Sequence, residues 1–309
     1  ATAHWSGRFV SNGVPLADFQ DVTNSIDRWE VWCEAWSARG DIHEKLGRES
    51  LAAGYQLSAG QHLTVASICY HFGKFLFVQD PEQMQVAHRK AVECRNLALE
   101  YLCPTGERVV IPYDGKTLYG NLRRPTGIDK PPVVVMVMGL DSAKEEMETN
   151  ERVFLERGMA TLAFDGPGQG EAEYDLAICP EYERPVGAVI DWLSKRTDID
   201  SEKLGIWGVS LGGYYAPRAA AFDHRIKACI SLTGPFDLSA CFDNMPGLTQ
   251  AAFIHRSKAG SKDAARKFSA RLSLHGIAEQ ITCPLYVVAG KLDRVIPHEH
   301  ALQLADSVA

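Results

Sequence analysis

The hydrophobic positions of the first hundred residues follow the repeat of an α-helix. Apolar side chains recur three and four residues apart, as at Trp29, Trp32 and Trp36 and again over residues 65–72, and β-branched runs are few. One face of a helix has this spacing, whereas a half-buried strand alternates with a period of two. The pattern therefore predicts an all-helical N-terminal domain over residues 1–103.

Local signals indicate where the helices of this region begin and end. Because proline is tolerated in the first turn of a helix, Pro81 after Asp80 predicts a helix that runs to about Tyr101. Glycines are expected to punctuate the other helices, at Gly47, Gly54 and Gly60. Most aromatic rings of the region are expected in its core, although they could supply pocket walls: Trp29, Trp32, Trp36, Tyr70, Phe72 and Phe75.

From residue 104 onward, short β-rich runs alternate with longer helical ones. The predicted strands cover residues 108–112, 118–123, 133–138, 160–164, 204–209, 228–232 and 285–289, and the predicted helices cover 143–157, 183–195, 211–222 and 298–306. This alternation is typical of an α/β domain whose mostly parallel sheet has helices on both faces. Residues 104–309 are therefore predicted to form an α/β domain.

One stretch of that domain is too long to be an ordinary loop. About residues 237–280 separate two predicted strands and are helical in texture. Structureless connections of this length are rare in compact domains. The stretch is therefore interpreted as a helical lid insertion.

Composition narrows the classes of function. The 309 residues carry a net charge of -7 and no long basic run, which argues against nucleic-acid or anionic-membrane binding. The longest apolar stretch, residues 133–139, is far shorter than a membrane span, and the N-terminus lacks a signal-peptide pattern. The eight scattered cysteines have no zinc-ligand spacing and are expected to be reduced thiols. We predict a cytoplasmic protein that acts on a small molecule without metal or cofactor; a homodimer is possible.

The clearest chemical motif is GVSLG at residues 208–212. It follows the buried run 204–207 and precedes an apolar helix, which is the context that a nucleophile elbow requires. Small residues two positions either side of Ser210 allow a strained turn that lifts its hydroxyl above the sheet. The motif predicts an α/β-hydrolase fold with Ser210 as the nucleophile.

A serine nucleophile also needs hydrogen-bond donors aimed at the developing oxyanion. One backbone N–H should come from Leu211, the residue after the nucleophile, and the other from the loop after the third strand, best from Leu140. The His-Gly pair common in that loop is Met138 and Gly139 here, which is tolerable because the donor is backbone.

Two neighbouring segments have structural interpretations. In DSAKEE (141–146), Ser142 and Glu145 have the spacing of a capping box, with direct substrate contact by Asp141 or Glu145 as the alternative. DGPGQG (165–170) superficially suggests a phosphate-binding loop, but it lacks the Gly-Lys-Ser/Thr continuation and any dinucleotide fingerprint. No cofactor is predicted from it.

The acid of a Ser, acid, His chain order should follow the penultimate strand. Asp293 lies there, after the run 285–289. Asp237, which follows the preceding strand, is the alternative acid; its other interpretation is that it caps the first helix of the lid.

The histidine is expected after one more strand, but only 16 residues follow Asp293 and their pattern is a single helix. His298 and His300 lie on that helix, too close to Asp293, and are interpreted as surface or helix-start residues. Within the α/β domain, three histidines precede Asp293 and would break the chain order, although the last two could reach a pocket from the lid: His224, His255 and His275. We expect the chain to be truncated, with its catalytic histidine beyond Ala309.

Several segments together carry a family resemblance. Three of them occur in this order behind the helical region: MGLDSAKEE (138–146), FDGPGQGE (164–171) and SLGG (210–213). Three more lie in the helical region itself: RF (8–9), WEVW (29–32) and YHFGKF (70–75). With them the chain resembles the 2,6-dihydroxypseudooxynicotine hydrolase family of α/β-hydrolases, which includes fungal hydrolases that shorten polyketides. The similarity covers nearly the whole chain.

The resemblance implies cofactor-free hydrolysis of a carbon–carbon bond beside a ketone by a Ser, Asp and His triad, with the helical domain closing over the pocket. Ser210 and Asp293 match the triad, and no position matches the histidine. The first hypothesis is thus a carbon–carbon bond hydrolase for an aromatic or polyketide-like ketone. A carboxylesterase with the same machinery is the second, and a non-catalytic hydrolase-like binding protein is the third.

Overall fold

A computed structural model of the chain describes residues 5–308. The chain divides into two compact units, one comprising residues 1–108 and 145–157 and the other residues 109–144 and 158–309. Segment 145–157 therefore groups with the helical unit although it lies between two strands in sequence. The extent of the two domains proposed from sequence stays a prediction.

The described part of the first unit contains six α-helices. They are α1 (Ser6–Ser11), α2 (Leu16–Ser25), α3 (Trp32–Ala52), α4 (Gln56–Lys74), α5 (Pro81–Leu99) and α6 (Glu148–Leu155). The predicted start of α5 is confirmed, because Pro81 occupies its first turn and the Asp80 side chain accepts the N–H of Gln83.

Gly40 and Gly47 allow α3 and α4 to pack closely. The prediction that Gly47 and Gly60 punctuate the helices is wrong. Gly47 lies inside α3 and Gly60 inside α4. A Cβ at Gly40 or Gly47 would lie 2.7 Å from the side chain of Tyr70 or Leu63 respectively. Residues seven apart share one helix face, so these glycines remove the side chains that would hold α4 away.

Aromatic rings fill the core of the helical unit, as the first interpretation of them expected. Trp32, Trp36 and Phe72 are fully buried with Phe9. Phe9 stacks on Phe72 with 3.7 Å between ring centroids, and Trp32 meets Phe9 edge to face at 6.1 Å. Offset-stacked and edge-to-face pairs add stability beyond the area that they bury.

A buried ionic cluster joins segment 145–157 to the helices of its unit. Glu146 accepts two hydrogen bonds from Arg8, each 3.0 Å, and one of 3.1 Å from His71. Asn12 donates a further bond of 3.0 Å to the same carboxylate. Burial alone would raise the pKa of Glu146, but the charges and hydrogen bonds of Arg8 and His71 outweigh it and lower that pKa.

The capping box predicted at Ser142 is wrong. Helix α6 begins at Glu148 with Met147 at its N-cap, and residues 144–146 form a single 3₁₀ turn. The carboxylate of Glu145 lies 3.8 Å from Nε2 of His88 instead of reaching back to Ser142. At these residues, tertiary contacts of Glu145 and Glu146 have therefore replaced the local helix start that the sequence favoured.

The second unit is built on a seven-stranded sheet. Its strands are β1 (Gly106–Tyr113), β2 (Lys116–Arg123), β3 (Pro132–Val137), β4 (Ala160–Asp165), β5 (Asp200–Val209), β6 (Ile226–Leu232) and β7 (Leu285–Val288), in the order β1-β2-β4-β3-β5-β6-β7. β2 is antiparallel to β4, and β4, β3, β5, β6 and β7 are mutually parallel. All seven predicted strands are confirmed, and so is the mostly parallel sheet.

Helices connect these strands as the hydrophobic pattern predicted. They are α7 (Glu183–Leu193) and α8 (Gly212–Phe222), then α9 (Leu238–Phe242), α10 (Gly247–Ser257) and α11 (Lys262–Ser269) between β6 and β7, and finally α12 (Glu299–Ser307). Segment 237–280 is thus helical, and we refer to α9–α11 as the lid. Within residues 5–308 no helix is long and apolar enough to cross a bilayer.

Candidate active site

Ser210 stands on a strained turn between β5 and α8. Its φ of 56° is in the left-handed region, which costs a non-glycine residue about 1–3 kcal/mol. The N–H of Ser210 donates to Leu232 O at 2.8 Å, and its own carbonyl accepts the N–H of Gly213 at 2.7 Å. The backbone on both sides is therefore tied down, and the side chain is half-buried at the carboxyl end of the sheet.

Only glycine fits at the two ends of this turn. A Cβ at Gly208 would lie 2.0 Å from the carbonyl oxygen of Gly212, and one at Gly212 would lie 2.2 Å from the carbonyl oxygen of Val137. The turn thus passes so close to itself and to the end of β3 that no side chain can be accommodated.

We expect Gly208→Ala to destabilise the fold by about 3 kcal/mol or more, because the backbone atoms that its methyl group would meet cannot move independently. Gly205→Ala is a matched control in the same strand, since a Cβ there would have its nearest neighbours at ordinary contact distances of 3.7 and 3.8 Å. Urea unfolding of both variants measures the difference. Equal midpoints would contradict the close approach at Gly208.

The loop after β3 lies directly beside the serine. A Cβ at Gly139 would be 3.0 Å from Cβ and 3.4 Å from Oγ of Ser210. In residues 5–308 the N–H groups of Leu140 and Leu211 donate no hydrogen bond. Neither of the two predicted oxyanion donors is therefore committed to a protein acceptor within these residues.

A second loop supports this one. Gln169, on the turn after β4, is 1% exposed, and its Nε2 donates to the carbonyl oxygens of Met138 at 2.5 Å and Gly139 at 2.9 Å. Its Oε1 accepts the hydroxyl of Tyr182 at 2.6 Å. Tyr182 in turn stacks on Tyr215 with ring centroids 3.7 Å apart.

A buried ion pair also joins the loop after β3 to the turn after β4. Asp165 accepts the backbone N–H of Lys144 at 2.9 Å and its ammonium group at 2.7 Å, and both side chains are fully buried. Glu171 also contacts that ammonium group at 2.7 Å and donates its backbone N–H to Asp165. The ion pair and these backbone bonds therefore tie the turn after β4 to the loop after β3.

The lid contacts the loop after β3 through one arginine. Arg256 of α10 is fully buried, donates to the carbonyl oxygen of Leu140 and lies 3.3 Å from the carboxylate of Glu173. The three consecutive carbonyls of residues 138–140 therefore all accept side-chain donors. Sequence reasoning missed Gln169, Tyr182 and Arg256, since only their contacts distinguish them.

Asp293 follows β7 and has one carboxylate oxygen committed to the backbone. Its Oδ1 accepts the N–H groups of Val295 at 2.8 Å and Ile296 at 3.0 Å. The other oxygen accepts no hydrogen bond from any residue between 5 and 308. Such an arrangement holds a carboxylate still while leaving one oxygen to orient a base.

Asp237 has a different partner. It is the N-cap of α9, where its Oδ1 accepts the N–H of Ser239 at 2.9 Å and the hydroxyl at 2.7 Å. Its Oδ2 is 3.9 Å from Nε2 of His275. The capping interpretation of Asp237 is therefore the one with direct structural support.

No histidine pairs with Asp293 in the described part of the chain. His298 starts α12 and lies 3.4 Å from Glu299, and His224 lies 3.3 Å from the hydroxyl of Thr282. His300 is half-buried, with Nδ1 accepting the N–H of Phe236 at 3.2 Å and Nε2 3.2 Å from Sγ of Cys241.

The Cys241 and His300 pair is not arranged as a second nucleophilic site. Because Nδ1 of His300 accepts a backbone N–H, the neutral ring carries its proton on Nε2 and donates to the sulfur. Burial, with Asp237 and Asp293 nearby, raises the pKa of Cys241 to about 11, so the thiol stays protonated at neutral pH. Sequence reasoning missed this contact, which joins the lid to α12.

His300 should make stability pH-dependent. Burial lowers its pKa below the usual value, against the weaker opposing effects of Asp237 and Glu299. A histidine with a lowered folded-state pKa contributes stability fully above its unfolded pKa of about 6.5 and loses it as pH falls below that value. We expect the free energy of unfolding to fall less steeply between pH 6.5 and 5 in His300→Gln than in the wild type. Identical slopes in urea titrations would refute this.

The unit that contains the sheet has few side chains placed to bind a metal ion. Among its described residues, no three His, Cys, Asp or Glu side chains converge as a metal site requires. All eight cysteines are free.

Comparison with known proteins identifies relatives along most of the chain. The model of the prolyl oligopeptidase family matches residues 146–309. The chain is 35% identical over 292 residues to 2,6-dihydropseudooxynicotine hydrolase of Paenarthrobacter nicotinovorans, which covers 94% of this chain and 78% of that protein. It is 34% identical to the 20-hydroxy-prefusarin hydrolase of Gibberella moniliformis, covering 68% of this chain and 53% of the relative. The chain thus spans about half of that fungal protein.

Solved structures agree with the sequence relatives. The crystal structure of the 2,6-dihydroxy-pseudo-oxynicotine hydrolase matches with a TM-score of 0.90 and 34% identity, covering 98% of this chain and 85% of that one. A match of this extent includes both the helical region and the sheet.

Proposed function

The chain belongs to the α/β-hydrolase family of 2,6-dihydroxypseudooxynicotine hydrolase, and from that premise we propose that it is a serine hydrolase that cleaves a carbon–carbon bond beside a ketone. The family resemblance inferred from sequence is confirmed, and with it the α/β-hydrolase fold. We propose an aromatic or polyketide-like ketone as the substrate.

One observation carries the proposal. The strained Ser210 lies beside Gly139, and the residue that follows each of them, Leu211 and Leu140 respectively, has an N–H group that donates no hydrogen bond within residues 5–308. A ketone carbon at Ser210 Oγ would place its oxygen within reach of these donors. They would stabilise negative charge on that oxygen, and such stabilisation is usually the largest single contribution to catalysis of acyl transfer.

The proposed reaction has two stages. Ser210 Oγ attacks the ketone carbon, its proton passes to a base, and the carbonyl electrons move onto the oxygen between the two N–H donors. When the carbonyl reforms, the carbon–carbon bond breaks and its electron pair leaves as a carbanion that the protonated base neutralises. Water then hydrolyses the acyl-serine, so the two products together contain the substrate and one water.

Asp293 is proposed to orient that base. Two backbone N–H groups fix its Oδ1, so the second oxygen can accept the N–H of an imidazole and hold the ring in one tautomer.

The decisive experiment identifies the products. The full-length protein is incubated with an acyl-phenol, a β-diketone and an aryl ester in ¹⁸O-water, and products are analysed by mass. Cleavage of the ketone with one ¹⁸O in the new carboxylate supports the proposal. Turnover of only the ester indicates the carboxylesterase alternative, and turnover of no substrate at any protein concentration would favour the non-catalytic alternative.

Three further points belong to the proposal. We propose that the enzyme acts in the cytoplasm, which the eight free cysteines support because reducing compartments keep thiols unpaired. We also propose that the substrate is a small molecule, and that a homodimer forms in solution. Light scattering during gel filtration tests the homodimer.

A further inference from the structure

The glycine-rich turn after β4 carries a side chain, Gln169, that has no part in the reaction proposed above. Its Gln169 side chain is buried and reaches across to the loop after β3, where its amide nitrogen donates to two successive carbonyls. These carbonyls belong to Met138 and Gly139, immediately before Leu140.

The second of these bonds acts on the peptide that carries the proposed oxyanion donor. The carbonyl of Gly139 and the N–H of Leu140 belong to one peptide unit, which is planar and trans. In a trans peptide these two groups point in opposite directions. A donor that holds the Gly139 oxygen at 2.9 Å therefore fixes the direction of the Leu140 N–H and polarises it.

The orientation of the Gln169 amide is itself determined. Its Oε1 accepts the hydroxyl of Tyr182, so Nε2 must face the two carbonyls. Tyr182 is fully buried against Tyr215, which leaves the hydroxyl little freedom to move.

We infer that Gln169 is a positioning residue of the oxyanion hole, which holds the Gly139–Leu140 peptide so that its N–H points toward the oxygen of the carbon attacked by Ser210. This inference rests on the proposed function. Gln169 acts through the backbone and does not itself touch the substrate.

The surrounding turn is shaped to hold Gln169 in this place. A Cβ at Gly166 would lie 1.9 Å from the hydroxyl oxygen of Tyr182, and one at Gly170 would lie 2.1 Å from the carboxylate of Asp165. Glycine at both positions therefore admits the tyrosine that orients the amide and the aspartate that anchors the loop. The motif is explained by contacts to protein groups, with no phosphate required.

The test is Gln169→Met, which keeps the length of the side chain and removes its hydrogen bonds. Losing an oxyanion donor costs about 10²–10³ in kcat, and a donor that is present but less well oriented should cost less. We expect kcat to fall about 10- to 100-fold with KM changed by less than about threefold. An aryl trifluoromethyl ketone, which forms a tetrahedral adduct with the serine, should lose affinity by the same factor as kcat.

Gln250 provides a matched control. It is a buried glutamine in the lid whose Nε2 donates to the carbonyls of Phe242 at 3.0 Å and Met245 at 3.2 Å. Gln250→Met should lower the unfolding free energy by an amount similar to Gln169→Met while leaving kcat and inhibitor affinity within about twofold of wild type. If Gln169 had only a structural role, Gln169→Met would resemble Gln250→Met and leave kcat and inhibitor affinity within about twofold of wild type.

The outcomes separate this inference from the proposed function. If Ser210→Ala abolishes turnover while Gln169→Met retains wild-type kcat and inhibitor affinity, the inference is wrong and the function stands. If Ser210→Ala retains turnover, the proposed function itself fails. Should Gln169→Met not fold, Tyr182→Phe removes only the hydroxyl that orients the amide, and an unchanged kcat in that variant overturns the inference.

Discussion

Ser210→Ala is expected to lower kcat by about 10⁴-fold or more while leaving the fold intact. The hydroxyl is the atom that would bond to the substrate carbon, and removing a nucleophile leaves only the contribution of the oxyanion donors and binding. The substitution should leave the backbone strain of the turn unchanged, because alanine and serine both have a Cβ at this positive φ. The rate of product formation in single-turnover experiments measures the effect.

A matched control for this variant is Ser194→Ala. Its hydroxyl donates to Ile190 O at 2.8 Å on α7, so the substitution removes a serine hydroxyl without affecting the turn. An alkyl fluorophosphonate should label the wild type and Ser194→Ala once, at residue 210, and leave Ser210→Ala unlabelled. Normal turnover by Ser210→Ala, or labelling at another residue, would remove Ser210 from the mechanism.

Glu146→Gln should have the largest effect on stability, a loss of about 3–5 kcal/mol. The carboxylate is 2% exposed and accepts bonds from Arg8, His71 and Asn12. A neutral amide at this position cannot accept the same set of donors, and it leaves the guanidinium and imidazole without their charged partner. Urea unfolding at neutral pH measures the loss.

Glu156→Gln is the control, because this glutamate is 65% exposed and contacts Arg152 only at 3.7 Å. Its effect should stay within about 0.5 kcal/mol.

The lowered pKa of Glu146 sets the sign of the pH dependence of stability. A carboxyl group whose pKa is lowered on folding stabilises the fold above its unfolded pKa and loses that effect as the pH falls. The gap between wild type and Glu146→Gln should therefore narrow below about pH 4.5. A constant gap would contradict the assigned charge state.

The strands and the elbow could be predicted because their signals are local. Each buried parallel strand is a short apolar run, and glycine at 208 and 212 is demanded by contacts within one turn and with the adjoining strand. The start of α5 at Pro81 followed from the same kind of local rule. The roles of Ser210, Asp293, Leu140 and Leu211 follow from that placement and stay predictions until the variants are measured.

The failed predictions have one physical cause. Gly47 and Gly60 were expected to interrupt helices, yet they permit close helix packing or chain approach, which depends on residues distant in sequence. A capping box at Ser142 would contribute about 1 kcal/mol, but Glu145 and Glu146 contact His88 and Arg8, which are distant in sequence, instead of forming it. Local propensity decides structure only where no stronger long-range contact competes.

The helical N-terminal region, the mostly parallel sheet and the serine at a strand–helix turn can all be inferred from the amino-acid sequence, because hydrophobic periodicity and glycine sterics act over a few residues. The groups that surround that serine are visible only in the folded protein. Gln169 and Arg256 reach the loop of residues 138–140 from two distant parts of the chain, and Tyr182 orients Gln169. No spacing rule encodes such contacts, since they exist only once the sheet has brought the loops to one edge.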